Sequence, residues 1–192
     1  MKPSASPSGP GGEIDAGRVG PIDPSRLSVE QREVFDRIRD SRGDVVGPFT
    51  VLLHAPVLAD HVQRLGAYLR YETHLERDLA EAAVLVVARA WSSEFEWAAH
   101  EPIAREAGTP DEVVETIRAG TAFERLPDRY RIVCTIARSL ACRERIGSEE
   151  YEAAVELLGV PALGELTVLV GYYVMLAMTL ATHRVDGAAE RS

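Results

Sequence analysis

Apolar residues recur every three to four positions along most of this chain, which is the spacing of a helix that buries one face. The segment that begins at Ser28 shows this first, with Val34, Phe35 and Ile38 in one stripe. Ser28 and Gln31 also fit a capping box at its start. The helical period continues towards the C-terminus, and no segment alternates apolar and polar residues convincingly, as a half-buried strand would. The pattern therefore predicts an all-α fold.

Proline and glycine mark the ends of the predicted helices. Pro56 suits the first position of one helix, and Gly108 is expected to end another. Thr109 is expected to cap the next helix, with Pro110 at its first position, and Gly159 helps to separate the last two helices. Helices are expected over residues 28–40, 57–72, 76–91, 93–107, 111–120, 127–146, 148–158 and 162–185, and residues 47–56 are expected to form a connection with a short apolar turn.

Residues 1–24 differ in composition from the rest of the chain. They hold five prolines and five glycines and almost nothing apolar, so burial cannot offset the entropy lost on ordering them. We expect a flexible tail over residues 1–24 and one helical domain over residues 25–187. A chain of 192 residues suits one domain with a substantial core.

The overall composition predicts a soluble protein. Hydrophobic residues make up 46% of the chain, but no uninterrupted apolar stretch approaches the ~20 residues of a membrane span. The formal net charge of −9 repels phosphate backbones, so neither nucleic acid nor a membrane is expected as a partner. The N-terminal segment lacks the apolar region of a secretory signal, which predicts a cytoplasmic protein.

Two cysteines are too few for a disulfide framework. Cys134 and Cys142 fall on one predicted helix, where eight positions correspond to ~12 Å along the axis. That separation excludes a disulfide within the helix.

Ser93, Glu96 and His100 are spaced by three and four residues, so one helix face would carry all three side chains. A carboxylate beside an imidazole can hold or pass a proton near neutral pH, which makes this face a candidate acid/base site. The pair Ser93 and Glu96 also fits a capping box, and a lone histidine is more often structural than catalytic. A metal site would need a third ligand that nothing nearby supplies, so no metal is expected.

These residues belong to a longer pattern. RDLAEAAVLVVARAW contains Glu81, and SSEFEWAAHEPIAREAGTPDEVVETI contains Glu96, Trp97 and His100 as EW-x-x-H. With PFTVLLHAPVLADHVQRLGAYLR upstream and VLVGYYVMLAMTLAT downstream, the chain resembles the carboxymuconolactone decarboxylase family of the AhpD-like alkylhydroperoxidase superfamily over roughly residues 45–185. The resemblance implies an AhpD-like helical bundle of about six to eight helices.

The peroxidase branch of that superfamily carries a glutamate, a C-x-x-C pair and a histidine. Matched to this chain, the two redox cysteines fall on Ser93 and Glu96, and the glutamate falls on Glu81. Because both thiols are missing, a peroxide reductase is the disfavoured alternative. The resemblance leaves Glu81, Glu96 and His100 as catalytic candidates for a decarboxylase without a cofactor, in which His100 donates the proton, Glu96 relays it and Glu81 orients His100.

The expected substrate is a small carboxylated lactone or a related unsaturated acid of aromatic catabolism. Four residues are expected to bind it: Ser93, His54, Arg70 and Trp97. Two of these have ordinary alternatives, because His54 could be a hydrogen-bonded loop residue and Arg70 could pair with an acid such as Glu72. A second functional hypothesis is a non-catalytic member that binds a hydrophobic metabolite and keeps His100 as a polar anchor.

The resemblance also implies a homotrimer or homohexamer. The amount of apolar helix surface agrees with burial between subunits. Four residues of the last helix are expected to lie in the core or at a subunit interface: Tyr172, Tyr173, Met175 and Met178.

Overall fold

The computed structural model describes residues 18–20 and 22–185, and within them the fold is entirely helical. A short 3-10 turn at Pro24–Arg26 precedes eight α-helices, which are α1 (Val29–Arg42), α2 (Pro48–Leu52), α3 (Pro56–Tyr71), α4 (Arg77–Ala90), α5 (Glu94–Glu106), α6 (Asp111–Ala119), α7 (Asp128–Ala141) and α8 (Ser148–His183). The predicted all-α bundle of six to eight helices is confirmed. The short helix α2 lies inside the segment that the sequence predicts as a connection.

Several helix ends follow their sequence signals. The Ser28 hydroxyl accepts a bond from the backbone N–H of Gln31 at 3.2 Å, and the Gln31 side chain accepts one from the Ser28 N–H at 3.0 Å. Pro56 opens α3, and Gly108 follows the end of α5 with a φ of 97° that disfavours other residues. These three predictions are confirmed.

The predicted cap at Thr109 is wrong. Pro110 occupies the N-cap position of α6, and Thr109 lies one residue outside it. The Thr109 hydroxyl donates instead to the backbone carbonyl of Asp78 in α4, at 3.0 Å. A tertiary hydrogen bond between the α5–α6 connection and α4 therefore replaces the local cap.

Helix α4 is the centre of the bundle. All ten residues from Leu79 to Ala88 are buried, and Glu81 is the one ionisable residue among them. Helices α5, α6, α7 and α8 pack around this segment. The run of alanine, valine and leucine on every face explains why α4 is enclosed, since no polar face keeps one side in water.

Helix α8 has a break at Gly159, where φ is 75° and ψ is 161°. The break separates the acidic first part of α8 from its apolar second part, as the glycine and Pro161 predict.

By length and composition α8 could also cross a membrane, and 33% of its most apolar window is buried in the single chain. A core helix of a soluble protein passes the same test, so this property is weak evidence for a membrane span.

Most of the predicted tail lies outside the described residues. Of the part that is described, Arg18 donates from its backbone N–H to the carbonyl of His183 at 2.9 Å and from its guanidinium to that of Thr182 at 3.0 Å. Ile22 is half-buried against the core. The end of the segment predicted as a tail therefore contacts the last helix of the domain.

Candidate functional site

Glu81 and His100 form a buried pair between α4 and α5. Oε2 of Glu81 lies 2.7 Å from Nδ1 of His100, and the two residues are 7% and 1% exposed. When Glu81 is ionised, the Nδ1–H group donates to it in a short, charge-assisted hydrogen bond. The pair exists because the buried part of α4 turns its single acidic residue, Glu81, towards α5.

Glu96 lies on the other side of the same imidazole. It precedes His100 by one helical turn in α5, and its Oε2 is 3.6 Å from His100 Nε2, within ion-pair distance. Glu96 is also buried, and its Oε1 has no hydrogen-bond partner among the described residues. Burial raises the pKa of Glu96, and the charges of His100, Arg70 and Arg42 oppose that rise.

The capping-box alternative for Ser93 and Glu96 is wrong. Ser93 is the N-cap residue of α5, but its side chain makes no capping hydrogen bond. The Glu96 carboxylate faces His100 instead of the backbone at the start of the helix. The predicted placement of Glu96 and His100 on one helix face is confirmed, and Glu81 from α4 completes the group.

Tyr173 of α8 closes the site from a third direction. Its ring meets the His100 ring edge-on, with the ring centroids 4.9 Å apart. The guanidinium of Arg70, near the end of α3, lies beside the Tyr173 phenol, and burial raises the pKa of Tyr173. Arg70 therefore contacts Tyr173, and among the described residues it forms no ion pair with Glu72, its alternative partner.

A cavity of about 350 Å³ lies beside this cluster. Glu81, Tyr173 and Arg70 contribute to its wall, but His100 and Glu96 do not. The remaining lining residues come from α3, α4, α8 and the α3–α4 connection: Leu69, Tyr71, Thr73, Leu75, Arg77, Ala80, Val84 and Leu169. A molecule in this cavity would meet the Glu81 carboxylate, with the imidazole of His100 behind it.

A second polar cluster continues from the site towards α1. The guanidinium of Arg42 lies 3.4 Å from the phenol oxygen of Tyr172 and stacks 4.6 Å from the ring centre of Phe49. The Tyr172 ring is in edge contact with that of Tyr173 at 5.3 Å. Gly66 of α3 allows this approach, since a Cβ there would lie 2.2 Å from the Tyr172 hydroxyl. The positive charge of Arg42, which is half-buried, is therefore held close enough to act on Glu96.

Ser93 and Trp97 lie away from the cavity beside Glu81. Both line a different cavity of about 320 Å³ at the start of α5, together with Arg89 and Arg118. The Trp97 indole donates to Glu101 at 2.9 Å, and the Arg118 guanidinium stacks 4.8 Å from the ring centre. The structure therefore does not bring these two predicted substrate-binding residues together with Glu81.

His54 is exposed in the connection between α2 and α3, and it is not part of the wall of the cavity beside Glu81. Among the four residues expected to bind substrate, Arg70 alone lines that cavity.

Sequence reasoning did not assign Tyr173, Arg42 or Arg77 to the site. The sequence predicts Tyr173 in the core or at an interface, and it is buried, but it also contacts His100. The local sequence carries no signal for this contact, because it depends on how α8 packs against α5. Arg77 had a usable signal, since it precedes Glu81 by four residues and therefore shares its helix face.

The two free cysteines differ in their exposure to solvent. Cys134 is buried in α7, and burial raises the pKa of its thiol to about 12. Cys142 is exposed at the end of the same helix. A thiol with so high a pKa is almost fully protonated at neutral pH, so Cys134 is a poor nucleophile.

The arrangement suits proton transfer. The imidazole of His100 lies between the carboxylates of Glu96 and Glu81. This row of three side chains reaches the cavity through Glu81. Such a row can deliver a proton to an atom in the cavity or remove one from it. Among the described residues, no group of three or more His, Cys, Asp or Glu side chains is placed to hold a metal ion.

The chain matches no protein-family model, and no curated protein matches it at a significant level of similarity. The resemblance of Glu81, Glu96, Trp97 and His100 to the carboxymuconolactone decarboxylase pattern therefore stays a prediction.

Proposed function

We propose that this protein is a cytoplasmic carboxy-lyase that needs no cofactor and acts on a small carboxylated lactone or a related unsaturated acid. The observation that carries the proposal is the buried row of Glu96, His100 and Glu81, which opens through Glu81 onto a cavity lined by Arg70. The resemblance to carboxymuconolactone decarboxylases supports the reaction type. The cavity volume lies near the lower end of the ~300–1,000 Å³ range for small-molecule sites, which fits a small acid.

The reaction would break the bond between a carboxylate and the carbon of the lactone ring that carries it. Carbon dioxide leaves, and the bonding electrons stay in a conjugated, enolate-like system that then takes up one proton at carbon. Because Glu81 faces the cavity and His100 does not, we assign the donation of that proton to Glu81. The donated proton is the one shared between Glu81 and His100; the imidazole then takes up one proton from water and shares it again with Glu81, which balances the turnover, while Glu96 lies beside the other ring nitrogen.

This assignment changes the role that the sequence predicts for His100. The sequence places the imidazole next to substrate as the donor, with Glu81 behind it. The positions of the side chains favour the reverse order, since Glu81 and Tyr173 separate His100 from the cavity. His100 would then act as a positioning and relay residue, and its loss would slow the reaction through Glu81.

The subunit is proposed to assemble as a homotrimer or homohexamer. Three large apolar residues of α8, Val160, Val168 and Met178, are at least 47% exposed in the single chain. Burial of such residues between copies would remove apolar surface from water, which stabilises association.

The experiment measures release of carbon dioxide from 4-carboxymuconolactone and from related lactone acids. Glu81→Gln keeps the shape of the side chain but removes its proton, so we expect turnover to fall by about 100-fold or more. His100→Ala is expected to have a similar effect, and Glu106→Gln, at an exposed position of the same α5 helix, is expected to have none. Unchanged turnover in Glu81→Gln would overturn the proposed mechanism.

The apolar part of the cavity favours a second candidate function, the binding of a hydrophobic metabolite without catalysis. Leu69, Leu75, Val84 and Leu169 supply that apolar wall. Under this alternative, lactone acids bind but release no carbon dioxide, and Glu81→Gln changes affinity alone.

A further inference from the structure

Arg77 is an arginine without a carboxylate partner at the cavity beside Glu81. It is the first residue of α4 and lies one turn before Glu81, so both side chains line the same wall. The side chain is exposed, and no carboxylate of the described residues lies within 4 Å of its guanidinium. The spacing of four residues between Arg77 and Glu81 would allow an ion pair, but the two side chains do not form one.

The two acids that flank Arg77 in sequence are occupied elsewhere. Arg129 of α7 binds Glu76 at 2.8 Å and Asp78 at 3.1 Å. The phenol of Tyr130 also donates to Asp78, at 2.6 Å. These contacts leave the guanidinium of Arg77 available at the cavity, in a chain whose net charge is −9.

Arg70 adds a second positive charge to the same cavity. It lies near the end of α3, is half-buried and contacts Tyr173, which is a neutral partner at physiological pH because burial raises its pKa. The Glu81 carboxylate is already paired with His100. The cavity therefore contains two guanidinium groups, and the carboxylate of Glu81 in the same wall is paired with His100 and forms no ion pair with either of them.

Positive charge next to an apolar wall selects a particular class of ligand. Leu75, Val84 and Leu169 can cover an apolar body, while a planar guanidinium matches a carboxylate through two parallel hydrogen bonds. A small organic acid combines both properties, with its carboxylate at Arg77 and its carbon skeleton deeper in the cavity, against Glu81.

We propose that Arg77 is the specificity-determining residue. It binds a second carboxylate of the substrate, one that stays in place when carbon dioxide leaves, and Arg70 supplies the second positive charge. This inference rests on the proposed function for the identity of the reaction, but binding of the anion does not require turnover. It places the retained carboxylate at the exposed end of the cavity and leaves the reacting carbon next to Glu81.

Binding of benzoate and of its neutral analogue benzamide tests the proposal by NMR titration of the full chain at low salt. Arg77→Met is expected to weaken benzoate binding by about 10-fold, because it removes a charge-assisted, two-pronged hydrogen-bonded pair. Benzamide binding should stay unchanged. Arg77→Lys is expected to lie between wild type and Arg77→Met, because lysine keeps the charge but loses the planar fork.

Arg125→Met is the matched control, since Arg125 is an exposed arginine between α6 and α7 that is not part of the cavity. Equal benzoate affinity in wild type and Arg77→Met would overturn the proposal. An equal loss in Arg125→Met would do the same, because it would reveal a general effect of net charge.

Kinetics separate this proposal from the proposed function. If lactone acids release carbon dioxide, Arg77→Met should raise KM about 10-fold while kcat changes by less than a factor of about three. Turnover with an unchanged KM in Arg77→Met would refute the anchoring role and leave the carboxy-lyase standing. Benzoate binding that depends on Arg77, without turnover of any lactone acid, would support the anion site and refute the carboxy-lyase.

Discussion

Oε2 of Glu81 lies 2.7 Å from Nδ1 of His100, although 19 residues separate the two positions in the chain. The contact joins α4 to α5 inside the core, where both side chains are removed from water. Removal of one partner from such a pair leaves the other buried without compensation, which costs far more than loss of a surface contact.

We therefore expect His100→Ala to lower the free energy of unfolding by about 3 kcal/mol. Urea denaturation followed by circular dichroism measures this loss. His54→Ala, at an exposed position, should change the stability by less than about 0.5 kcal/mol. A loss below about 1 kcal/mol for His100→Ala would contradict the buried pairing.

Glu96 should make stability depend on pH. Its pKa in the folded protein is raised from 4.5 by burial, so the folded state holds this proton more tightly than the unfolded state. Stability from this group is therefore present below pH 4.5 and is lost as the pH rises towards the raised pKa. Glu96→Gln removes this titration. As the pH rises, the melting temperature of Glu96→Gln should therefore increase relative to that of the wild type.

Thermal unfolding at about pH 5, 6 and 7 measures this difference for Glu96→Gln. Glu106→Gln, at an exposed position of α5, should show a difference that does not change with pH. A constant difference for Glu96→Gln would mean that burial does not raise the pKa of Glu96.

Gly66 is expected to tolerate no side chain. A Cβ at this position would lie 2.2 Å from the Tyr172 hydroxyl and 2.3 Å from Nη2 of Arg42, so Gly66→Ala should destabilise the fold by about 1–3 kcal/mol. Gly164→Ala provides a matched control in α8, where a Cβ would meet nothing within 4 Å. There alanine should stabilise the helix by about 0.5–1 kcal/mol. Equal effects of the two substitutions in urea denaturation would contradict the close approach of α3 and α8.

The two thiols should react very differently. At about pH 7.5, iodoacetamide is expected to label Cys142, which is exposed, and to leave Cys134 unmodified because its thiol is buried with a pKa of about 12. Mass spectrometry of the native protein should find one label per chain, and the unfolded protein should carry two. Labelling of native Cys134, or loss of peroxide-dependent turnover in Cys134→Ala, would revive the peroxide reductase alternative.

The sequence predicts those features of this protein that depend on local spacing. The helix positions follow from the apolar period, and the shared face of Glu96 and His100 follows from their separation of four residues. The contact of His100 with Glu81 comes from the resemblance alone, since it depends on how α4 packs against α5. Tyr173 reaches the site from α8 through packing that no local pattern encodes, and Thr109 bonds to α4 for the same reason.

The enclosure of α4 limits how this protein could be redesigned. Between Leu79 and Ala88 every position touches the interior, so a new side chain near Glu81 on this helix would disturb several neighbouring helices at once. Another part of the wall is a better place for change, because Tyr71 at the end of α3 is exposed and Thr73 in the connection after it is half-buried. An engineer who wants to admit a larger acid should therefore vary that wall and leave α4 as it is.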